Sequence, residues 1–479
     1  MVRSGLTYSE TLPPRRLSPF STCLTWQPAD CRAAWLVGGV WAVMAASTFW
    51  MVGRCALTSP IADELRYVGV VTGAEPLTWK WLVQVENQHF APLFKAAYLG
   101  VGRTAGFDFR AGAMVNVALL AAVSLAMIVA AARLRGRPSE LDVIIPILWM
   151  HWGHYTNLIW GFQLFYVLPT AIVGVALLTV GSSRERISIG SAAVTAICLL
   201  GAALSGGPGI FYVPPLAAWL AYAGALRWRD GGPGSRRAGA AVIALAAIAC
   251  LPLVAYLAER SDTLRFPPPL QRTSEGPVAG TLAFLSMGPG KIGKELWPVS
   301  GLAVIGLVGL AAWVLWRRWR SEPAERLPAS GLACFLCGAV LLAVGTGVAR
   351  GHMAPRACLQ YRYMLLAAPP ILGLYWVGVR YGPAVRSRRV RLVLAAAMLL
   401  LAAWYNARGW HADLGMREPV VELEQAIAAG MTPHEAAVRF ADVLQDPADS
   451  LAAHLEMLRQ ARLGPYRDGR RPEGGKEEP

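Results

Sequence analysis

The sequence predicts an all-α polytopic membrane protein, and three observations carry that prediction. The 479 residues are 55% hydrophobic and 16% charged, a balance outside the range of ordinary soluble domains. Apolar runs of about 20 residues, enough to cross a bilayer as a helix, recur between residues 33 and 405. The arginines behind the formal charge of +15 collect in the short loops between these runs, the distribution that fixes membrane orientation. That placement accounts for the basic total. With no nucleic-acid-binding motif in the chain, no nucleic-acid partner is expected.

Residues 1–32 read as a cytoplasmic N-terminal segment containing Pro13-Pro14-Arg15-Arg16, with no cleavable signal pattern, so the first span serves as an uncleaved anchor. About eleven spans are predicted, at 33–52, 111–132, 141–152, 162–180, 187–204, 209–226, 238–257, 299–316, 330–349, 363–379 and 392–405. With the amino terminus inside, every inner loop is short and rich in arginine, as in Arg133/Arg135/Arg137 and Arg386/Arg388/Arg389/Arg391. The long loops, 54–110 and 259–297, and the tail from 406 then fall outside, where chemistry is expected. No inner loop is long enough for a nucleotide-binding domain, so no nucleotide cofactor is expected. The spans are almost free of charge, which counts against an ion-coupled transporter.

The tail, 406–467, is predicted to form a small extracytoplasmic helical appendage. Thr432-Pro433-His434-Glu435 combines an N-cap threonine, proline at the first helical position and glutamate at the third, so a helix is expected from Pro433 to Leu444. A second helix is expected from Asp446-Pro447 to near Leu463, stopped by Gly464-Pro465. Residues 468–479 are polar and expected to be disordered.

Chemistry-bearing residues gather on the outer face. Asp63-Glu64 follows the first span, where carboxylates beside apolar sequence are costly without a partner or a task. Such a group can act as general base or metal ligand, or can simply mark a helix end. Glu86-Asn87-Gln88-His89 lies between Trp79-Lys80-Trp81 and Phe90-Ala91-Pro92, an aromatic flank suited to an interfacial helix. Its polar groups could bind sugar hydroxyls or cap a solvated helix. His151 and His154 could join a first-loop carboxylate around a metal, or serve as hydrogen-bonded members of an aromatic belt. Asn157, Trp160 and Gln163 follow, with amides that are expensive near lipid unless paired. Arg350 and Arg362 sit on the outer face against the topogenic bias, with forks that match phosphate oxygens, or that snorkel to lipid head groups. The loop 259–297, rich in proline and glycine, could form a mobile lid or a plain connector. Cys55 and Cys358 both fall near the outer surface, where a disulfide is chemically allowed.

The order of these motifs resembles the GT-C superfamily of membrane glycosyltransferases, particularly its poorly characterised bacterial branch. The resembling elements are Asp63-Glu64, Glu86-Asn87-Gln88-His89 to Pro92, Asn157 to Gln163, the break Ser205-Gly206-Gly207-Pro208-Gly209, and Arg350-Gly351 with Arg362-Tyr363. They cover residues 33–405. The resemblance implies a helix bundle with extracytoplasmic interfacial helices in the inner membrane of a bacterium. It implies transfer of a sugar from a polyprenyl-phosphate carrier to an envelope glycan or lipid acceptor. Asp63 maps to the catalytic base with Glu64 beside it. Arg350 or Arg362 maps to carrier-phosphate recognition, and Glu86, Asn87, His89, Asn157, Trp160 and Gln163 to substrate binding. A divalent metal is compatible with this pattern. Phe90 stands where such proteins commonly have arginine after the histidine, and Tyr361-Arg362-Tyr363 stands where Ser-Arg-Tyr is usual. A lipid or glycan flippase and a non-catalytic envelope assembly protein are the rival expectations.

Overall fold

The computed structural model describes residues 28–86, 89–260, 276–351, 353, 356–383, 385 and 387–467. Asn87, the 468–479 terminus, residues 1–27 of the N-terminal segment and 261–275 of the proposed lid lie outside the described residues.

Among the described residues, nine helices are long and apolar enough to cross a membrane. They are α1 (Pro28–Cys55), α2 (Arg110–Arg135), α3 (Gly161–Gly181), α4 (Gly207–Arg229), α5 (Pro233–Ala258), α6 (Val299–Ser321), α7 (Pro323–Arg350), α8 (Tyr363–Tyr381) and α9 (Arg388–Ala428). The chain is thus an all-α polytopic protein of membrane character. The expected third and fifth spans are shorter than these nine. The fifth is a 16-residue helix, Ile189–Leu204. The third, 141–152, holds a 3-10 turn Glu140–Val143 and the helix Ile144–Met150, and the turn expected after it contains a 3-10 turn Trp152–His154 and the helix Tyr155–Ile159. The break falls at His151, which adopts extended backbone while its Nδ1 accepts the Gly153 N–H. This irregular stretch is largely buried in protein, the setting in which broken backbone is tolerated at membrane depth.

The two ends of the bundle differ in chemistry. One end is held by arginine. Arg135 and the Tyr375 hydroxyl both donate to Asp142, Arg388 and Arg391 close on Glu140, and Arg380 pairs with Glu325 at 2.8 Å. The opposite end carries the first loop. Between them runs the main core, which includes Val117, Trp149, Leu177, Trp219, Phe335 and Trp376.

A second core lies at the first-loop end. It joins Leu65, Tyr67, Phe94 and Tyr98 of the first loop to Phe162 of α3 and to Leu423, Phe440, Leu451 and Leu458 of the tail. Helix α9 makes this possible. It continues past residue 405 as one helix of 41 residues to Ala428, about 60 Å long and roughly twice the hydrocarbon thickness. Its Glu424 accepts hydrogen bonds from Thr58 and, at 2.9 Å, from Ser59. The helix Pro433–Leu444 begins with both halves of a capping box between Thr432 and Glu435, and Ala448–Ala461 packs against it. The tail is therefore welded to the loop that follows α1.

Candidate functional site

The first loop folds as a chain of short helices. A 3-10 turn, Ala62–Tyr67, runs into Val68–Thr72. Trp79–Val83 and Pro92–Thr104 follow. Ala62 has φ of 49°, a left-handed conformation that costs a non-glycine residue energy, immediately before the acidic pair. That turn sends the two neighbouring carboxylates in different directions.

Glu64 points inward and is buried. Its Oε1 accepts from the Tyr98 hydroxyl at 2.7 Å and its Oε2 from Trp160 Nε1 at 2.8 Å. Burial pushes its carboxyl up to about 7 against the opposing pull of these two hydrogen bonds. It thereby ties the first loop, the helix Pro92–Thr104 and the turn before α3 together. Asp63 points outward, its side chain 48% exposed with Arg66 3.9 Å away. The turn before α3 contacts both the first loop, through Trp160, and the segment before α8, through Asn157. Arg350 closes α7, with a guanidinium nitrogen 3.2 Å from the Met353 sulfur.

Arg362 is held from behind. Asn157 Nδ2 donates to its carbonyl at 3.0 Å, and Asn116 Nδ2 donates to the Asn157 carbonyl at 3.1 Å. The guanidinium lies 5.5 Å from the Tyr363 ring, with Nε buried and no acceptor for it among the described residues. The amide oxygens of Asn157 and Gln163 are likewise buried without a donor there. Asn116 reaches this turn because α2 crosses it at a glycine contact. A Cβ on Gly112 would come 2.8 Å from Gly161 Cα, and one on Gly161 would come 2.6 Å from the Phe109 carbonyl.

The second polar knot forms a neighbouring group. Glu86 pairs with Lys95 at 2.9 Å and also bonds Tyr67. Lys95 is buried, with its three protons spent on Glu86, the Trp81 carbonyl at 2.8 Å and the Gln84 carbonyl at 3.1 Å. This arrangement staples the helix Trp79–Val83 onto Pro92–Thr104. His89 packs its ring 5.0 Å from Phe165 and lies over the glycine break. Gly206 there has φ of 122°, and a Cβ on Gly207 would come 2.7 Å from His89 Nδ1. Gly207 is favoured by that approach, and Gly206 by its positive φ and by Phe165, whose ring a Cβ would meet at 2.8 Å.

Asp63, Glu64, Trp160, Asn157 and Arg362 are thus linked through the turn before α3, with Glu86 and His89 beside it, while Arg350 stands at the end of α7. His151 and His154 stand apart. Their rings are 4.8 Å from each other, and His151 is 4.8 Å from Tyr405. Glu64 is engaged elsewhere, and among the described residues no group of three or more histidine, cysteine or acidic side chains could hold a metal. Cys55 and Cys358 are buried and not joined in a disulfide. The described part of the 259–297 loop is tightly packed. A Cβ on Gly280 would come 3.0 Å from Gly351 Cα, and one on Gly293 would come 2.0 Å from the Ser286 carbonyl.

Sequence reading missed Lys95, Tyr98 and Asn116. Lys95 and Tyr98 are three apart on one helix face, and Asn116 is an amide inside an apolar span; both are legible signals of inward-facing polar groups. No protein-family model, curated protein or solved structure matches the chain.

Proposed function

We propose that this protein is a GT-C-type glycosyltransferase of the bacterial inner membrane, moving a sugar from a polyprenyl-phosphate carrier to an envelope glycan or lipid acceptor. In this reading the chain crosses eleven times, the broken 144–159 stretch and Ile189–Leu204 being the two short crossings. The amino terminus is cytoplasmic, and the first loop and the tail are extracytoplasmic. The observation that carries the proposal is that one turn, 157–160, joins the loop bearing the half-exposed Asp63, through Trp160 and Glu64, to the segment bearing Arg362, whose carbonyl Asn157 braces.

Asp63 accepts the proton of the acceptor hydroxyl as its oxygen bonds to the anomeric carbon. The bond from that carbon to the carrier phosphate breaks, and the phosphate leaves with the electron pair. Arg362, assisted by Arg350, stabilises that charge. Glu64 touches protein on both oxygens, so it positions Asp63. The orphan amide oxygens of Asn157 and Gln163 suit hydroxyl donors.

The test is transfer from radiolabelled polyprenyl-phosphate sugars to a lipid-extract acceptor by the reconstituted protein. Asp63→Asn is expected to lower the rate by about 10²- to 10⁴-fold, the usual worth of a general base. Equal rates for variant and parent would overturn the base assignment. Lipid scrambling in liposomes without any transfer would favour a flippase.

A further inference from the structure

Helix α6 ends in an aromatic and cationic ladder that the site does not use. Trp313, Trp316, Arg317 and Arg320 fall at i, i+3, i+4 and i+7, one face of the helix. The Arg317 guanidinium lies 5.0 Å from the Trp313 ring, and that of Arg320 lies 4.9 Å from Trp316. Trp319 and Arg326 add a third pair at 6.0 Å. Both tryptophans of the central face are half-exposed, at 50% and 52%, and both arginines are exposed. Among the described residues neither Arg317 nor Arg320 has an ion-pair partner, whereas Arg318, between them on another face, is paired with Glu322.

The ladder stands at the arginine-rich end of the bundle, since Arg318 also lies 5.9 Å from the Tyr381 ring and Tyr381 bonds Glu325. Going back along α6, exposure continues through Leu310, Leu307 and Leu302. An apolar lipid-facing strip therefore ends in two indoles, each carrying a guanidinium. Indoles favour the head-group boundary, and guanidinium forks match phosphate oxygens.

We propose that this face of α6 binds an anionic phospholipid, its phosphodiester held by Arg317 and Arg320 and its acyl chains lying along Trp313, Leu310 and Leu302. The continuity of the charged ladder with the apolar strip selects a lipid over a soluble anion. The site is independent of the transferase reading.

The experiment uses the full-length protein in detergent, with lipid binding counted by native mass spectrometry and thermal unfolding followed in parallel. Phosphatidylglycerol and cardiolipin are expected to bind and raise the melting temperature, and phosphatidylcholine with the same chains is not. Arg317→Gln with Arg320→Gln is expected to weaken that binding by roughly 10- to 30-fold, near the worth of two basic residues at a membrane surface. Trp313→Leu with Trp316→Leu is expected to weaken it less. Arg236→Gln with Arg237→Gln removes the same charge from another loop and is expected to leave binding intact, with every variant remaining monodisperse. Equal loss in that control would reduce the effect to bulk charge and overturn the site. Equally tight binding of glycerophosphoglycerol, which lacks acyl chains, would overturn the lipid assignment. A dimer that the ladder variants dissociate, with no change in lipid binding, would assign the face to a second copy of the chain instead.

Discussion

The two ends of the bundle treat buried carboxylates in opposite ways. At the arginine-rich end, Asp142 is held by Arg135 and Glu140 by Arg388 and Arg391, so each charge is neutralised by a cation. At the first-loop end, Glu64 is as deeply buried but is held by a phenol, an indole and a backbone hydrogen bond at Ile61, all neutral. Neutral donors satisfy the oxygens without cancelling the charge, so burial dominates and the proton is retained to about pH 7. The first arrangement is a clamp whose charges are fixed by partners and serve the fold. The second leaves a titrating group directly beside Asp63, and at this end the buried Nε of Arg362 has no acceptor among the described residues.

The comparison is broken most forcefully at the clamp. Arg135→Met leaves the buried Asp142 carboxylate without its cation, held only by the neutral Tyr375 hydroxyl and Ser139 N–H among the described residues, and is expected to cost about 3–5 kcal/mol, read as a lowered unfolding midpoint. Adding Asp142→Asn should recover most of that loss; no recovery would mean that Arg135 acts through something other than the pair.

Glu64 gives the next effect, and its sign is opposite to that of a clamped acid. Its folded-state proton affinity is raised, so its contribution is fully present below the ordinary carboxyl range of 4.5 and is lost as pH rises through about 7. Stability of the parent is therefore expected to fall across that window by something on the order of 3 kcal/mol. Glu64→Gln should flatten the dependence, and an unchanged slope in thermal melts from pH 4.5 to 8 would remove Glu64 as its source.

Asp63 sharpens the contrast between neighbours. Half-exposed, it is expected to contribute within about 0.5 kcal/mol to stability, so Asp63→Asn should lose transfer while melting like the parent. A large drop in melting temperature would place Asp63 with the structural carboxylates. The smallest effect concerns the tail. Thr432→Ala removes the N-cap acceptor for the Glu435 N–H and is expected to cost about 1 kcal/mol. Because the tail shares a core with the first loop, hydrogen exchange should speed up in residues 56–71 as well as in 433–461; a change confined to the tail would show the two to be uncoupled.

Much of this was legible in one dimension. Hydropathy and arginine placement depend on composition within a short window, so the membrane character and the chemically distinct ends follow without contacts. The Thr432–Glu435 cap is a local hydrogen-bond pattern, and the helix starts at Pro433 as its residues predict. Candidate residues could be named for the same reason: a carboxylate or arginine next to an apolar run is visible in the run itself. What could not be read was the division of labour within Asp63-Glu64. It depends on the left-handed backbone at Ala62 and on donors 34 and 96 residues away. The length of α9 escaped because charge after residue 405 signals departure from lipid and says nothing about where a helix stops.

The sequence by itself determined a helical, membrane-type chain with one arginine-rich face and a set of polar residues gathered on the other. Only tertiary structure decided that Glu64 is buried and Asp63 is not, that Glu424 ties the tail to Thr58 and Ser59, and that Arg362 is braced by Asn157. The physical reason is the range of the forces involved. Hydrophobic burial and backbone capping are fixed by neighbours along the chain, whereas the state of a carboxylate is set by whichever donors and charges the fold brings within a few ångströms of it.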